Sequence, residues 1–351
     1  MIRLVLLFLC VPLCACSALR SSGPGPLEDA VAAAWLEAAE RALAEGRLGT
    51  AVEELAELRR VPRLDPDLRA RTEARLEEAV LRRLTQLDEA DAGSSKYDEL
   101  FRLALPPRLR ARAGLLAARE LYQEGRRVSS YRKVQEVERK VPNHPDRAFA
   151  GEVLVTTGLD MVEDDGRYSL IFRYRTRGIE ALEYLVLNYP LAPRCDEAYD
   201  ALARAYEREG DEDYAIDRTE DLLVYHPASP YAVTAQARLP YLRLLRLERD
   251  DYDRSELLTA LDEIQTWLLR HRGHELEPWV RDLALECQRR LTESDLSLAR
   301  YYEVLGEDDG VVLHASRALR TAEDAGLEKD VAEARALLGE ARAIPAGGAP
   351  R

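Results

Sequence analysis

Phenylalanine is scarce in this 351-residue chain, at 4 residues, and cysteine and histidine are hardly commoner, at 5 each. No stretch alternates β-branched with polar residues as a half-buried strand requires. There is no glycine-rich phosphate loop closed by Lys-Ser/Thr, no G-x-S-x-G elbow and no H-E-x-x-H pair. The motifs that announce phosphoryl transfer, a serine hydrolase or a zinc protease are therefore missing, and nothing points to an enzyme or a cofactor. Positive charge is in deficit as well: 50 Lys and Arg face 64 Asp and Glu, a formal net charge of −14. That balance opposes nucleic-acid binding, which needs a basic footprint, and offers no polybasic route to an anionic membrane surface.

Apolar residues make up 46% of the chain, enough for a sizeable core, and Ala, Leu, Arg and Glu dominate. These are strong helix formers, so the expected fold class is all-α. The chain opens "MIRLVLLFLCVPLCACSALR". Arg3 and the apolar run Leu4 to Leu9 have the form of a secretory signal and are too short to span a bilayer. "LCAC" (Leu13 to Cys16) resembles a bacterial lipobox. On that reading residues 1–15 are removed and the Cys16 thiol carries a diacylglycerol, which anchors the chain in a membrane. By analogy with lipoprotein sorting, Ser17 points to the outer membrane, on its periplasmic face. Plain secretion with cleavage near Ala18 is the other reading. Of the remaining cysteines, Cys287 shares an apolar stripe with Leu283 and Leu291, and two buried thiols at Cys195 and Cys287 are expected rather than a disulfide.

"SSGPGP" (Ser21 to Pro26) interrupts any helix and makes residues 16–27 a flexible tether. Helical spacing then runs through residues 28–165 and 166–343, and the tail 344–351 is expected to be disordered. "LNYPLAP" (Leu187 to Pro193) and "VYHPASP" (Val224 to Pro230) recur at an interval of 37 residues between Pro193 and Pro230. A proline cannot continue a helix and turns its predecessor away from helical geometry. Each such stretch therefore ends one helix pair and begins the next. Pro62 and Pro142 close two earlier pairs, broken internally at "EGRLG" and at Gly125, with a long helical stretch between them from Asp67 to Asp91. Paired helices of this kind predict an elongated array in which each pair buries its face against its neighbours.

The clearest unit is "YDALARAYEREGDEDYAIDRTEDLLVYHP". Tyr199, Leu202, Ala203, Tyr206, Ala215 and Pro227 are spaced as in a tetratricopeptide repeat, with bulky residues filling the space between helices and small ones letting helices approach. The predicted architecture is a tetratricopeptide-like α-solenoid of stacked helix pairs. In such repeats the residues equivalent to Glu197, Asp200, Arg204, Glu207 and Arg208 line a groove for an extended or helical peptide; an ordinary solvated helix face is the competing reading. "HRGH" (His271 to His274) with Glu275 and Glu277 reads as a polar helix end rather than a metal site. "EDDG" at Glu163 to Gly166 and at Glu307 to Gly310 lacks the alternating acidic spacing of a calcium loop and reads as turns between helices.

From about Gly166 to Gly326 the chain resembles the BamD (ComL-like) family of outer-membrane lipoproteins. The residues that carry the resemblance are "ALEYLVLNYPLAP", "YHPASPYAVTAQAR" and above all "LTESDLSLARYYEVLG", a long helix ending in A-x-Y-Y. The resemblance implies a non-enzymatic scaffold of the machinery that inserts β-barrel proteins into the outer membrane. Its implied partners are the barrel-type insertase, the insertase's accessory proteins and substrate peptides. It also implies that one arginine of the family, shortly after the Tyr301–Tyr302 helix, pairs with an acidic residue of the insertase. A gapless register puts His314 there, and a three-residue insertion within "GEDDGVV" puts Arg317 there. A tetratricopeptide lipoprotein that binds or regulates a cell-wall enzyme or a secretion system is the alternative function.

Overall fold

The computed structural model describes residues 29–247 and 254–343. The expected leader, Cys16 with its tether, and the tail lie outside the described residues. In chain order the helices are α1 (Asp29–Ala44), α2 (Leu48–Arg59), α3 (Pro66–Glu89), α4 (Ser94–Arg102), α5 (Pro107–Gln123), α6 (Arg127–Lys140), α7 (Arg147–Val162) and α8 (Tyr174–Asn188). They continue as α9 (Cys195–Glu209), α10 (Glu212–Tyr225), α11 (Ala232–Arg246), α12 (Arg254–Arg270), α13 (Glu277–Leu305), α14 (Asp308–Ala325) and α15 (Glu328–Ala343). Among the described residues no strand forms; an isolated antiparallel bridge joins Arg167 and Arg173. The fold class is all-α, a tetratricopeptide-like stack of helix pairs.

The chain divides into two compact units, Met1–Val153 and Leu154–Arg351, with the division inside α7. In the first unit α1 pairs with α2 and α3 packs on α2, while α4 and α6 both pack on α5. Leu36, Leu55, Leu58 and Leu76 are fully buried there, as are Phe101 and Leu115. Helix α3 starts where local chemistry requires it. The Asp65 side chain accepts hydrogen bonds from the Asp67 and Leu68 amides at 2.9 and 3.2 Å, and Pro66 needs no donor at the first helical position. Helix α4 is signalled only by three apolar residues at helical spacing, Tyr97, Leu100 and Phe101. It is short, and it is held by burying Tyr97, Leu100 and Phe101 rather than by a long apolar stripe.

In the second unit each helix from α8 to α15 packs on the next. Ala237, Leu257, Ile264, Trp267, Val280 and Cys287 form one stretch of its core, and the Trp267 indole donates to the Val233 carbonyl at 3.0 Å. The repeated proline stretches share one backbone pattern. After α8 the amides of Tyr189, Ala192 and Cys195 donate to the carbonyls of Leu185, Tyr189 and Ala192 at 2.7, 2.9 and 3.1 Å. After α10 the amides of His226, Ser229 and Ala232 donate to Leu222, His226 and Ser229 at 2.8, 3.0 and 3.1 Å. The same ladder occurs a third time after α12, where His271, His274 and Glu277 donate to Trp267, His271 and His274 at 2.9, 3.1 and 2.9 Å. "HRGH" is thus a third copy of the connecting turn, without the prolines. Successive turns are tied together: His226 Nε2 lies 3.0 Å from the Pro190 carbonyl oxygen.

One turn expected from the sequence is corrected. Glu307 precedes α14, but Asp308 to Gly310 already form its first helical turn, where two carboxylates suit the positive end of the helix dipole. Gly310 belongs there because a Cβ would come within 2.4 Å of the Tyr302 ring. The second "EDDG" is therefore the start of a helix seated under Tyr302.

Candidate functional site

Helix α9 presents Glu197, Asp200, Arg204 and Arg208 at helical spacing along one face, with Glu207 beside them. Arg194 donates to Glu197 at 2.8 Å, and Arg204 pairs with Asp200 at 3.0 Å. Glu207 pairs with Arg238 of α11, and Arg208 pairs with Glu163 at 3.2 Å. Burial raises the Asp200 carboxyl above its ordinary range, and the neighbouring Arg204 and Arg238 oppose that shift. The Tyr231 hydroxyl is raised in the same way, by burial and then by Glu197, Asp200 and Asp196. The five positions thus belong to a network of ion pairs extending from α9 to α11. Solvent-exposed pairs contribute under about 1 kcal/mol each. A charged ligand could displace the exposed pair at Arg208 at small cost, whereas Arg204 is held by the buried Asp200.

The corner between α13 and α14 separates the two residues that the family register leaves open. His314 faces inward: its ring stacks on Tyr302, with centroids 5.6 Å apart and planes 7° apart, and its Nδ1 lies 3.0 Å from Asp295 Oδ1. Asp295 is fully buried, and its other oxygen accepts from Arg254 at 2.6 Å. His314 therefore helps satisfy a buried carboxylate, which would be costly to leave alone. Arg317, three residues on, is exposed. Near it in sequence, Leu298, Tyr301 and Leu305 form a stripe along α13 that is 38, 59 and 54% exposed.

Cys195 and Cys287 are buried free thiols. Burial pushes each up to about 12, far from the range in which a thiolate would react. In the "HRGH" turn His271 and His274 both lie against Trp267, at 5.1 and 5.4 Å between centroids, and His274 Nδ1 accepts from the Leu276 amide. Among the described residues no cluster of His, Cys, Asp or Glu is arranged to hold a metal ion. No helix among them is long and apolar enough to cross a membrane.

A further surface escaped the sequence reading. Leu187, Val224 and Leu269 occupy the same place, two residues before the first amide of the three equivalent turns, and are 80, 72 and 67% exposed. The signal was present as Leu187 and Val224 in the two quoted stretches, but only the shared ladder reveals Leu269 as the third member.

The chain matches no family model and no curated protein. It is similar to several solved helical-repeat structures. The tetratricopeptide repeat domain of P58(IPK) is 15% identical with a TM-score of 0.24, over 88% of this chain and 79% of that one. A tetratricopeptide repeat protein from Parabacteroides merdae is 14% identical with a TM-score of 0.24, over 89% and 98%. A circular tandem repeat protein with a novel repeat topology is 16% identical with a TM-score of 0.20, over 89% and 75%. Similarity at this level carries no statement about partners, and the fold assignment rests on the chain's own helices.

Proposed function

We propose that this chain is a non-enzymatic, protein-binding scaffold, held by lipid on Cys16 at the periplasmic face of the outer membrane, where it serves the assembly of β-barrel proteins. The observation that carries the reading is the α13–α14 corner. An unpartnered stripe of Leu298, Tyr301 and Leu305 lies on the helix that bears the A-x-Y-Y resemblance, and Arg317 stands exposed on the next helix. Exposed aromatic and arginine side chains are the residue types that anchor protein interfaces, and a guanidinium grips a carboxylate through two parallel hydrogen bonds. His314 is already engaged by Asp295 and Tyr302, so the proposal assigns the partner's carboxylate to Arg317.

The test is co-purification in mild detergent, followed by capture of the insertase's soluble domain. Wild type should recover the barrel-type insertase. Arg317→Glu should weaken capture by 2 kcal/mol or more, as removal of one member of an interfacial charge pair does, which is about thirty-fold. His314→Ala should instead lower the melting temperature, with affinity at permissive temperature nearly intact. Recovery of a cell-wall enzyme or a secretion component in place of the insertase would move the protein to the alternative function. Unchanged capture by Arg317→Glu would remove this corner from the interface.

A further inference from the structure

The segment between α7 and α8 is unlike the rest of this acidic chain. From Gly166 to Gly178, "GRYSLIFRYRTRG", there are four arginines and no acidic residue. It forms a small hairpin. The Tyr168 amide donates to the Phe172 carbonyl at 3.2 Å, the Tyr174 amide donates to the Gly166 carbonyl at 3.0 Å, and Arg167 bridges Arg173. The Arg167 guanidinium donates to the Leu170 carbonyl at 3.0 Å and braces the tip. At that tip Leu170, Ile171 and Phe172 are 90, 77 and 44% exposed. Below it, the Tyr168 ring lies against Phe172 at 5.8 Å and Tyr174 at 5.5 Å, and Arg177 donates to the Tyr168 hydroxyl at 2.9 Å.

Leu170 and Ile171 held out into water, with the half-exposed Phe172 packed on Tyr168 and Arg177 behind them, need a reason, because the hairpin is braced by its own hydrogen bonds and gains nothing from that exposure. The acids just before the hairpin are engaged at its base. Asp165 pairs with Arg175, Glu163 pairs with Arg208, and Asp164 accepts from the Gly166 amide. Arg177 pairs with Glu180. Arg167 and Arg173 are exposed on either side of the tip, and among the described residues neither has an ion-pair partner.

We infer that this hairpin inserts its Leu170–Ile171–Phe172 tip into the interfacial layer of a phospholipid bilayer containing anionic lipids, with Arg167 and Arg173 on the headgroup phosphates. The layering is that of an interfacial element: apolar residues at the tip, aromatic rings at headgroup level, and cations behind them. The net charge of −14 conceals it, because attraction to a charged surface falls off within a Debye length of about 8–10 Å and depends on the local patch. A protein partner fits less well. A specific interface covers about 800 Å² on each side, whereas this tip is three residues and convex. The inference does not depend on acylation of Cys16.

A site-specific probe separates tip insertion from any other membrane attachment of the chain. In the full chain carrying Cys10→Ser, Cys14→Ser and Cys16→Ser, an environment-sensitive fluorophore is placed on Leu170→Cys. The remaining Cys195 and Cys287 are buried and do not compete for label. An equivalent probe on Lys329→Cys is the control. With phosphatidylcholine vesicles containing phosphatidylglycerol, the Leu170 probe should shift to the blue and be quenched by spin-labelled lipid, while the Lys329 probe stays unchanged. Arg167→Gln with Arg173→Gln should weaken the vesicle titration about 25-fold at low salt, at about five-fold per arginine. A silent Leu170 probe overturns the inference and leaves the tip to a protein partner. Equal shifts at both probes, or a shift that does not require phosphatidylglycerol, overturns it too.

Discussion

Gly178→Ala should destabilise the second unit although alanine is the better helix former. Gly178 is buried in α8, where it meets the end of α7. A Cβ there would come within 2.3 Å of the Val162 backbone nitrogen, 2.7 Å of its Cα and 2.8 Å of the Met161 carbonyl carbon. Carbon contacts are optimal near 3.5–4.0 Å, so the two helices must separate by about 1 Å. The obstructing atoms are backbone and cannot rotate away. A gap of that size forfeits a quarter to a half of the dispersion energy of the contacts it opens, around Met161 and Leu182, both fully buried. Overpacking costs about 1–3 kcal/mol, and the upper end applies here; the helix-propensity gain of about 1 kcal/mol offsets part of it. The net expectation is a loss of about 2 kcal/mol. Gly339→Ala in α15 supplies the opposite sign, since that glycine is exposed and a Cβ would meet nothing within 4 Å. It should gain up to about 1 kcal/mol. Urea titration followed by tryptophan fluorescence in a Trp35→Phe background reports the second unit, which holds Trp267 and Trp279. The midpoints should move apart with the slope unchanged. A Gly178→Ala midpoint at or above the parent's would refute the close-approach argument, as would shifts of the same sign for both variants.

Two further outcomes are expected. Burial alone would raise the Glu136 carboxyl, but Lys133 and Lys140 hydrogen-bond to it at 2.5 and 2.6 Å and hold it at about 2. A depressed carboxyl stabilises above its unfolded value of 4.5 and loses that contribution as pH falls toward 2. Glu136→Gln should therefore cost about 1–2 kcal/mol at neutral pH, and in urea titrations at stepped pH its difference from wild type should narrow between those limits; a constant difference would contradict the assignment. Cys195 and Cys287, pushed up to about 12 by burial, should resist iodoacetamide at pH 8 in the native protein and react fully in urea, read by peptide mass; rapid native labelling would show that the helices open there.

Much of the helical order was legible because it is written in local chemistry. Prolines at 62, 142, 190 and 227 end segments, Gly125 and Gly210 separate the members of pairs, and apolar residues recur at helical spacing. Those signals concern neighbours in sequence, and the structure carries helices where they predict them. Helix α4 escaped because it is only nine residues long and carries three apolar residues, too few to stand out although Tyr97, Leu100 and Phe101 keep helical spacing; it forms because those side chains find buried places in the first unit. The third turn escaped because "HRGH" has neither proline and lies 45 residues after its predecessor, counted from His226 to His271. Its likeness resides in backbone hydrogen bonds, which any non-proline residue can make.

By itself, then, the sequence determined an all-α chain of helix pairs, the places where most of those pairs begin and end, and the spacing that puts Glu197, Asp200, Arg204 and Arg208 on one face of α9. Tertiary structure alone decided how those charges are engaged, because Glu163 and Arg238 lie 45 and 31 residues from Arg208 and Glu207 and meet them only when helices stack. It also decided between residues that look interchangeable along the chain. His314 and Arg317 are three apart on one helix, yet one closes over the buried Asp295 while the other stands in water. A helix turns about 100° per residue, so side chains three positions apart point about 60° apart, and at the edge of a packed face one turns inward while the other meets solvent. Which side meets a carboxylate and which meets solvent is set by the helix packed against it.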